Sequence, residues 1–163
     1  MSFNSHFFQS EWIASARFEA EGVRRLNYWY SLEEHRGELK RFSEFGFNFV
    51  YCLAHSSRAG LTREQVIDAA FYGACFTHSK TRNPRVVLFE DIIPEQWRPY
   101  GLVHEGYHLK RMVEGYEHTE REEREALRAE VRAVKSDGLI EEYIAWHKTI
   151  HPSRIKKLRS VNR

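Results

Sequence analysis

The chain has 163 residues, which suits one compact domain, and its 42% hydrophobic and 14% aromatic residues are enough to form a buried core. Twenty-five basic residues against 23 acidic ones leave a formal net charge of +2, too balanced to favour nucleic acid or a membrane surface as the default partner. The segment Met1–Ser15 lacks a basic stretch followed by an apolar run, and no run of about eighteen apolar residues occurs, so we expect neither secretion nor membrane anchoring.

The two cysteines, Cys52 and Cys75, each lie within an apolar stretch. In such surroundings a buried free thiol is commoner than a disulfide. We therefore expect a reducing compartment, and the cytoplasm is the predicted location.

Apolar spacing predicts helices in the first half of the chain. Steps of three and four residues favour a helix over Phe8–His35, which Gly37 ends, and a second helix over Glu38–His55. Thr62 to Gln65 form a capping box that begins a third helix, which we expect to continue through Phe76.

One segment favours a strand. Arg85–Glu90 is short, apolar and β-branched at its start. Because one strand cannot form a sheet, it either pairs with a second strand near Asn48–Leu53 or runs extended across helices.

The second half of the chain is predicted to be helical. Pro99 suits a first helical turn and Gly115 a C-terminal stop, which bound a helix at about 99–114. A second capping box at Thr119 to Glu122 begins a charged helix that continues to about Ser136, and a last helix covers Leu139–Thr149.

These elements predict a mainly α fold, a compact helical domain over 1–152 with one or two short strands. Residues 153–163 are basic and contain few apolar side chains, so we expect a flexible tail. Contact with nucleic acid is expected only through this tail, and no contact with a membrane is expected.

The helix predicted at 99–114 carries an HExxH motif. Residues 104–108 read His-Glu-Gly-Tyr-His, and two histidines four apart on a helix can bind one metal ion together. Glu105 projects about 100° away from His104, too far to chelate comfortably but suited to take a proton from water on the metal. This pattern indicates zinc-dependent amide hydrolysis.

The motif and the charged helix after it resemble the gluzincin pattern of the zincin metallopeptidases, over about Arg85–Lys135. That resemblance implies that His104 and His108 bind zinc on a zincin-like active-site helix and that Glu105 is the general base. Arg111 and Glu114 stand where the metzincin extension needs glycine and histidine, so that subclass does not fit.

The third ligand has three candidates. If the helices on either side of Gly115 pack antiparallel, Glu130 lies near the level of the histidines, on an apolar face where an unpaired carboxylate is costly. Glu123 shares that face but lies nearer the turn. We rank Glu130 first, Glu123 second and His118 third.

The function predicted is a small zinc-dependent hydrolase, a peptidase acting on a protein or peptide substrate. A di-iron bundle that uses Glu105 and His108 as an ExxH pair is a weaker alternative, because no second ExxH occurs. A third alternative is a metal-free inhibitor or adaptor that binds a protein partner through helical faces. In that case His104 and His108 would be core-edge histidines bonded to neighbours such as Tyr100 and Tyr107.

Overall fold

The computed structural model describes residues 24–25, 40–44, 47–68, 72–77 and 84–162. In chain order its strands and α-helices are β1 (Lys40–Glu44), β2 (Phe47–Ala54), α1 (Arg63–Asp68), β3 (Gly73–Thr77), β4 (Pro84–Phe89), α2 (Arg98–Val113), α3 (Glu120–Ser136), α4 (Ile140–Ile150) and α5 (Ile155–Val161). Short 3-10 turns lie at Ser56–Ala59, Glu95–Trp97 and Pro152–Arg154. The mainly helical class is confirmed, but the described residues contain four strands rather than one or two.

The four strands form one sheet in the order β1-β2-β4-β3. The pairs at its two sides are antiparallel, and the central pair of β2 with β4 is parallel. In that central pair Val50 lies opposite Arg85 and Leu53 opposite Leu88. The expectation that the strand at Arg85–Glu90 pairs near Asn48–Leu53 is therefore confirmed.

The helix predicted over Glu38–His55 is wrong, because this segment contains β1 and β2. In β2 the fully buried Cys52 and Ala54 alternate with the half-buried Tyr51 and Leu53, which is the two-residue period of a strand. Phenylalanines at steps of three and four satisfied a helical period equally well, so the pattern alone was ambiguous. Of the helix predicted at Phe8–His35 only residues 24 and 25 are described, and they are helical.

The third predicted helix is correct at its beginning and wrong at its end. The capping box forms as expected, with Thr62 N–H donating to Gln65 Oε1 at 2.9 Å and Gln65 N–H donating to Thr62 Oγ1 at 3.1 Å. The helix stops at Asp68, and the chain from Gly73 becomes β3. A Cβ on Gly73 would lie only 2.6 Å from the carbonyl oxygen of Val87, so glycine permits the close approach to β4.

Helix α2 packs against β3 and β4 at the face that carries Leu88. Residues 86 to 89 of β4 are completely buried, so both faces of this strand are covered. A Cβ on Gly101 would make ordinary contact, at 3.6 Å, with the Leu88 side chain, which shows how closely the helix lies on the sheet. Gly115, which has a φ of 90°, follows the C-terminal end of α2 and terminates this helix as predicted.

The C-terminal segment is not a loose tail over its described residues 153–162. Arg154, Ile155 and Leu158 are 3%, 7% and 0% exposed, and α5 packs on α3 and α4. Ile155, Leu158 and Val161 recur every three residues between the lysines and arginines, which gives α5 one apolar face. Because lysine and arginine dominate the composition of this segment, its apolar face was not recognised from the sequence.

Two features bear on the predicted location of the protein. Cys52 and Cys75 are buried free thiols, as expected from their apolar surroundings. Within the described ranges, no helix combines the length and the apolar character that crossing a bilayer requires. The cytoplasmic location stays a prediction.

Replacing Leu158 with Ala should lower the free energy of unfolding by about 2–5 kcal/mol, because it would leave a cavity beneath α5. Urea unfolding followed by circular dichroism measures this loss. Lys156→Ala on the exposed side of the same helix should change stability by no more than about 0.5 kcal/mol. Equal, small effects of both substitutions would mean that α5 does not pack on the domain.

Candidate metal centre

The three motif side chains that carry chemistry are all withdrawn from solvent. His104 and Glu105 are 0% exposed and His108 is 1% exposed. The two imidazoles lie one turn apart on α2, with their Nε2 atoms 3.2 Å from each other. Neither histidine is bonded to Tyr100, whose hydroxyl donates to Asp137 at 2.7 Å.

A carboxylate from α3 completes a triangle with these two nitrogens. Glu123 Oε1 lies 3.2 Å from His104 Nε2, and Glu123 Oε2 lies 3.1 Å from His108 Nε2. A tetrahedral zinc ion with bonds of about 2.0–2.1 Å separates its ligand atoms by about 3.3–3.4 Å. Each Nε2 thus lies close to this spacing from the other Nε2 and from one oxygen of Glu123, so the three side chains converge on a single position.

The outer nitrogen of each histidine is bonded to a different carboxylate. His104 Nδ1 contacts Glu130 Oε2 at 2.7 Å, and His108 Nδ1 contacts Glu122 Oε1 at 2.7 Å. An imidazole that donates from Nδ1 keeps its Nε2 lone pair for a metal, and such carboxylate partners fix ring orientation at metal sites. The earlier histidine, His104, contacts the later glutamate, Glu130, and the later histidine, His108, contacts the earlier glutamate, Glu122. The two helices are therefore antiparallel, as expected.

The geometry favours Glu123 over Glu130, the candidate ranked first, as the third ligand of a metal. Glu130 does meet His104, but at Nδ1, whereas the convergent donor atoms belong to His104, His108 and Glu123. The two glutamates are seven residues apart on the same face of α3, so helical periodicity cannot distinguish them. The side-chain rotation that selects one ring nitrogen is fixed only by packing.

His118, the third-ranked ligand, also lies outside the triangle. Its Nδ1 is 3.7 Å from Glu122 Oε1, and its ring centre is 5.2 Å from that of His108. It therefore stands on the Nδ1 side of His108, and its imidazole is a quarter exposed.

Glu122 is a site residue that the sequence did not reveal. Its position on the helix predicts a solvated side chain that points away from the histidines, and this prediction is wrong because Glu122 is buried against His108. Only half of the predicted capping box forms, with Glu122 N–H donating to Thr119 Oγ1 at 3.1 Å, while the carboxylate turns to His108. Burial opposes its ionisation, but the imidazoles of His108 and His118 outweigh burial and lower the pKa of Glu122 to about 2.

Two further residues that the sequence did not reveal contact the carboxylate of Glu130. Tyr143 on α4 donates its hydroxyl to Glu130 Oε1, and Arg154 Nη2 lies 3.5 Å from Glu130 Oε2. Burial would raise the pKa of Glu130, but Arg154 and His104 outweigh that effect and lower it to about 2. The carboxylate is thus ionised inside the protein.

The two histidines differ in their tendency to hold a proton. Burial lowers the pKa of both, but for His104 the carboxylates of Glu123 and Glu130 outweigh burial and raise its pKa to about 10. For His108 burial prevails over Glu122 and Glu123, and its pKa is lowered. Without a metal, His104 therefore carries the positive charge that the nearby carboxylates need.

Glu105 differs from the other acids of this cluster. Both its oxygens are buried, no N–H or O–H group of a described residue hydrogen-bonds to them, and the neighbouring Cys75 thiol is only a weak donor. Burial is the main reason that its pKa is raised to about 8, partly offset by His104, and the Cys75 thiol of β3 lies beside it. A buried, unpaired carboxyl group is costly, and such groups concentrate at functional sites.

Replacing Arg154 with Met should destabilise the metal-free protein by about 3–5 kcal/mol, because it strands the charge of Glu130 in the interior. Denaturant midpoints measure this loss. Glu130→Gln removes the stranded charge, so the double variant should lose clearly less than the sum of the two single losses. Strict additivity would show that the two side chains do not interact.

In comparisons with known proteins, no family model, no curated protein and no solved structure matched this chain. The resemblance to gluzincin metallopeptidases therefore rests on the sequence motif alone.

Proposed function

We propose that this protein is a zinc-dependent hydrolase, and most specifically a peptidase, whose metal ligands are His104, His108 and Glu123. The observation that carries the proposal is the buried convergence of three side chains between α2 and α3: the two Nε2 atoms are 3.2 Å apart, and each lies 3.1–3.2 Å from one oxygen of the Glu123 carboxylate. Two imidazoles and one carboxylate, with a fourth position left for water or substrate, are the ligand set of many catalytic zinc sites.

The charges of the buried cluster also favour a divalent cation. Glu122, Glu123 and Glu130 together carry three negative charges, and each is at most 9% exposed. Arg154 supplies one positive charge and a divalent ion supplies two, so the cluster is neutral with both histidines uncharged. A zinc ion would thus take over the role of the proton on His104, as expected when a metal binds to a basic ligand.

The residues around the ion divide the chemistry among them. Zinc would supply Lewis acidity towards a carbonyl and lower the pKa of water to about 7. Glu105, which directly follows the ligand His104 on α2, would accept the proton of that water as a general base. Glu122 and Glu130 hold the two imidazoles in orientation from behind.

The position of β3 favours a peptide as substrate. Among the described residues β3 is an edge strand of the sheet, and its Cys75 lies beside Glu105. An edge strand offers backbone groups to which an extended peptide can pair. Pairing there would bring a peptide bond close to the general base.

The rival functions find less support. In the described part of the chain, Glu105 belongs to no group of converging ligand atoms, which disfavours the di-iron alternative. For the metal-free adaptor, the only large hydrophobic side chains exposed within the described ranges are Val113 and Tyr116, and Arg111 stacks on Tyr116 at 3.6 Å. That surface is small for a docking face.

We expect the buried site to bind one zinc ion, and we expect Glu123→Gln to weaken binding at that site at least about 100-fold, more than Glu130→Gln, which should cost about 10- to 100-fold. Equilibrium dialysis against a zinc buffer measures the affinities. Glu125→Gln on the same helix is the matched control, since Glu125 pairs with Arg128 at 2.6 Å away from the histidines. Absence of zinc binding by the unmodified chain would refute the proposed function.

Glu105→Gln should retain zinc but lose at least about 100-fold in the rate of peptide hydrolysis, because the amide has the size of the acid and cannot accept a proton. Release of amino groups from unfolded casein measures hydrolysis beside zinc content. Loss of zinc together with activity would identify Glu105 as a ligand rather than a base.

A further inference from the structure

A second cluster of possible ligand atoms lies immediately behind the first. His118, Glu122 and the Nδ1 side of His108 bring three donor atoms within 4.8 Å of one another. In this cluster Glu122 Oε1 is 2.7 Å from His108 Nδ1 and 3.7 Å from His118 Nδ1. We propose that His118 and Glu122 bind a second, weaker divalent cation of the zinc class at this rim of the metal centre.

Accessibility distinguishes the two clusters. The triangle of the proposed function is enclosed, whereas His118 has a quarter of its side chain exposed and Glu122 lines a surface groove beside Tyr107 and Arg111. A hydrated cation can thus reach Glu122 from the groove and keep water molecules as its other ligands. The groove is lined by two arginines, Arg111 and Arg121, and by two glutamates, Glu122 and Glu125.

Two protein ligands should hold an ion less tightly than three, which makes this the weaker of the two sites. His108 cannot give both nitrogens to metals unless it loses its Nδ1 proton, so water is the more favourable third ligand at the rim. The proposal rests on the proposed function only in taking the buried triangle as the first site to fill.

Glu122 couples the two sites. Its carboxylate accepts the Nδ1 proton of His108, and this contact orients the ring and raises its basicity as a metal ligand. A cation bound to Glu122 withdraws electron density from that contact and adds a second positive charge nearby. Filling of the rim site is therefore expected to oppose binding at the buried site.

The test is zinc titration of the full chain by equilibrium dialysis, together with ¹⁵N NMR of the histidine rings. We expect two zinc ions per chain, with the second bound at least about tenfold more weakly. His118→Ala should bind one ion, and His55→Ala, which removes an exposed histidine elsewhere, should still bind two. In the unmodified protein the second equivalent should shift the ring nitrogens of His118 and Nδ1 of His108, but not Nδ1 of His104.

Each outcome is decisive. One ion per chain overturns this inference and leaves the buried site and the proposed function standing, whereas failure to bind any zinc overturns both. Two ions in His118→Ala, or second-equivalent shifts confined to other histidines, would show that the second ion binds elsewhere. Because the NMR arm uses the unmodified chain, a folding defect in the variant cannot obscure the result.

Discussion

Helices α2 and α3 contact each other through buried hydrogen bonds between imidazoles and carboxylates. The surrounding elements keep these polar groups in place. His104 and His108 from one helix meet three glutamates from the other in the interior between the two helices. Interior charges are tolerated only when they are paired and hydrogen-bonded. The position of every neighbouring element can be understood from that requirement.

The C-terminal helices supply part of that pairing. Tyr143 on α4 and Arg154 before α5 both reach Glu130, whose carboxylate already accepts from His104. The apolar face of α5, with Leu158 at its centre, fixes Arg154 in the interior against the desolvation cost of its charge. The C-terminal segment, which is far from the motif in sequence, thus contacts His104 indirectly through Glu130.

Glu105 is the exception to the pairing with charged groups. Its neighbours on α2 and α3 are bonded to charged partners at distances near 2.7 Å, while beside its own buried oxygens lies the neutral thiol of Cys75. Proteins retain such strained groups where chemistry uses them, and the stability lost there is offset by packing elsewhere. The close fit of α2 onto Leu88 through Gly101 is part of that packing.

Local sequence patterns determined the three helices between residues 98 and 150 and the identity of the motif, because caps, glycine stops and four-residue spacing act within a few residues. The same patterns did not distinguish helix from strand for residues 38–55, because the phenylalanines there fit both periods. The strand conformation is fixed by pairing of β2 with β4. Nor could local patterns distinguish Glu123 from Glu130, because residues seven apart share one helix face. Only tertiary packing turned Glu123 towards the Nε2 atoms and brought Arg154 behind Glu130, since ring rotation and contacts across 24 residues of chain leave no periodic trace in the sequence.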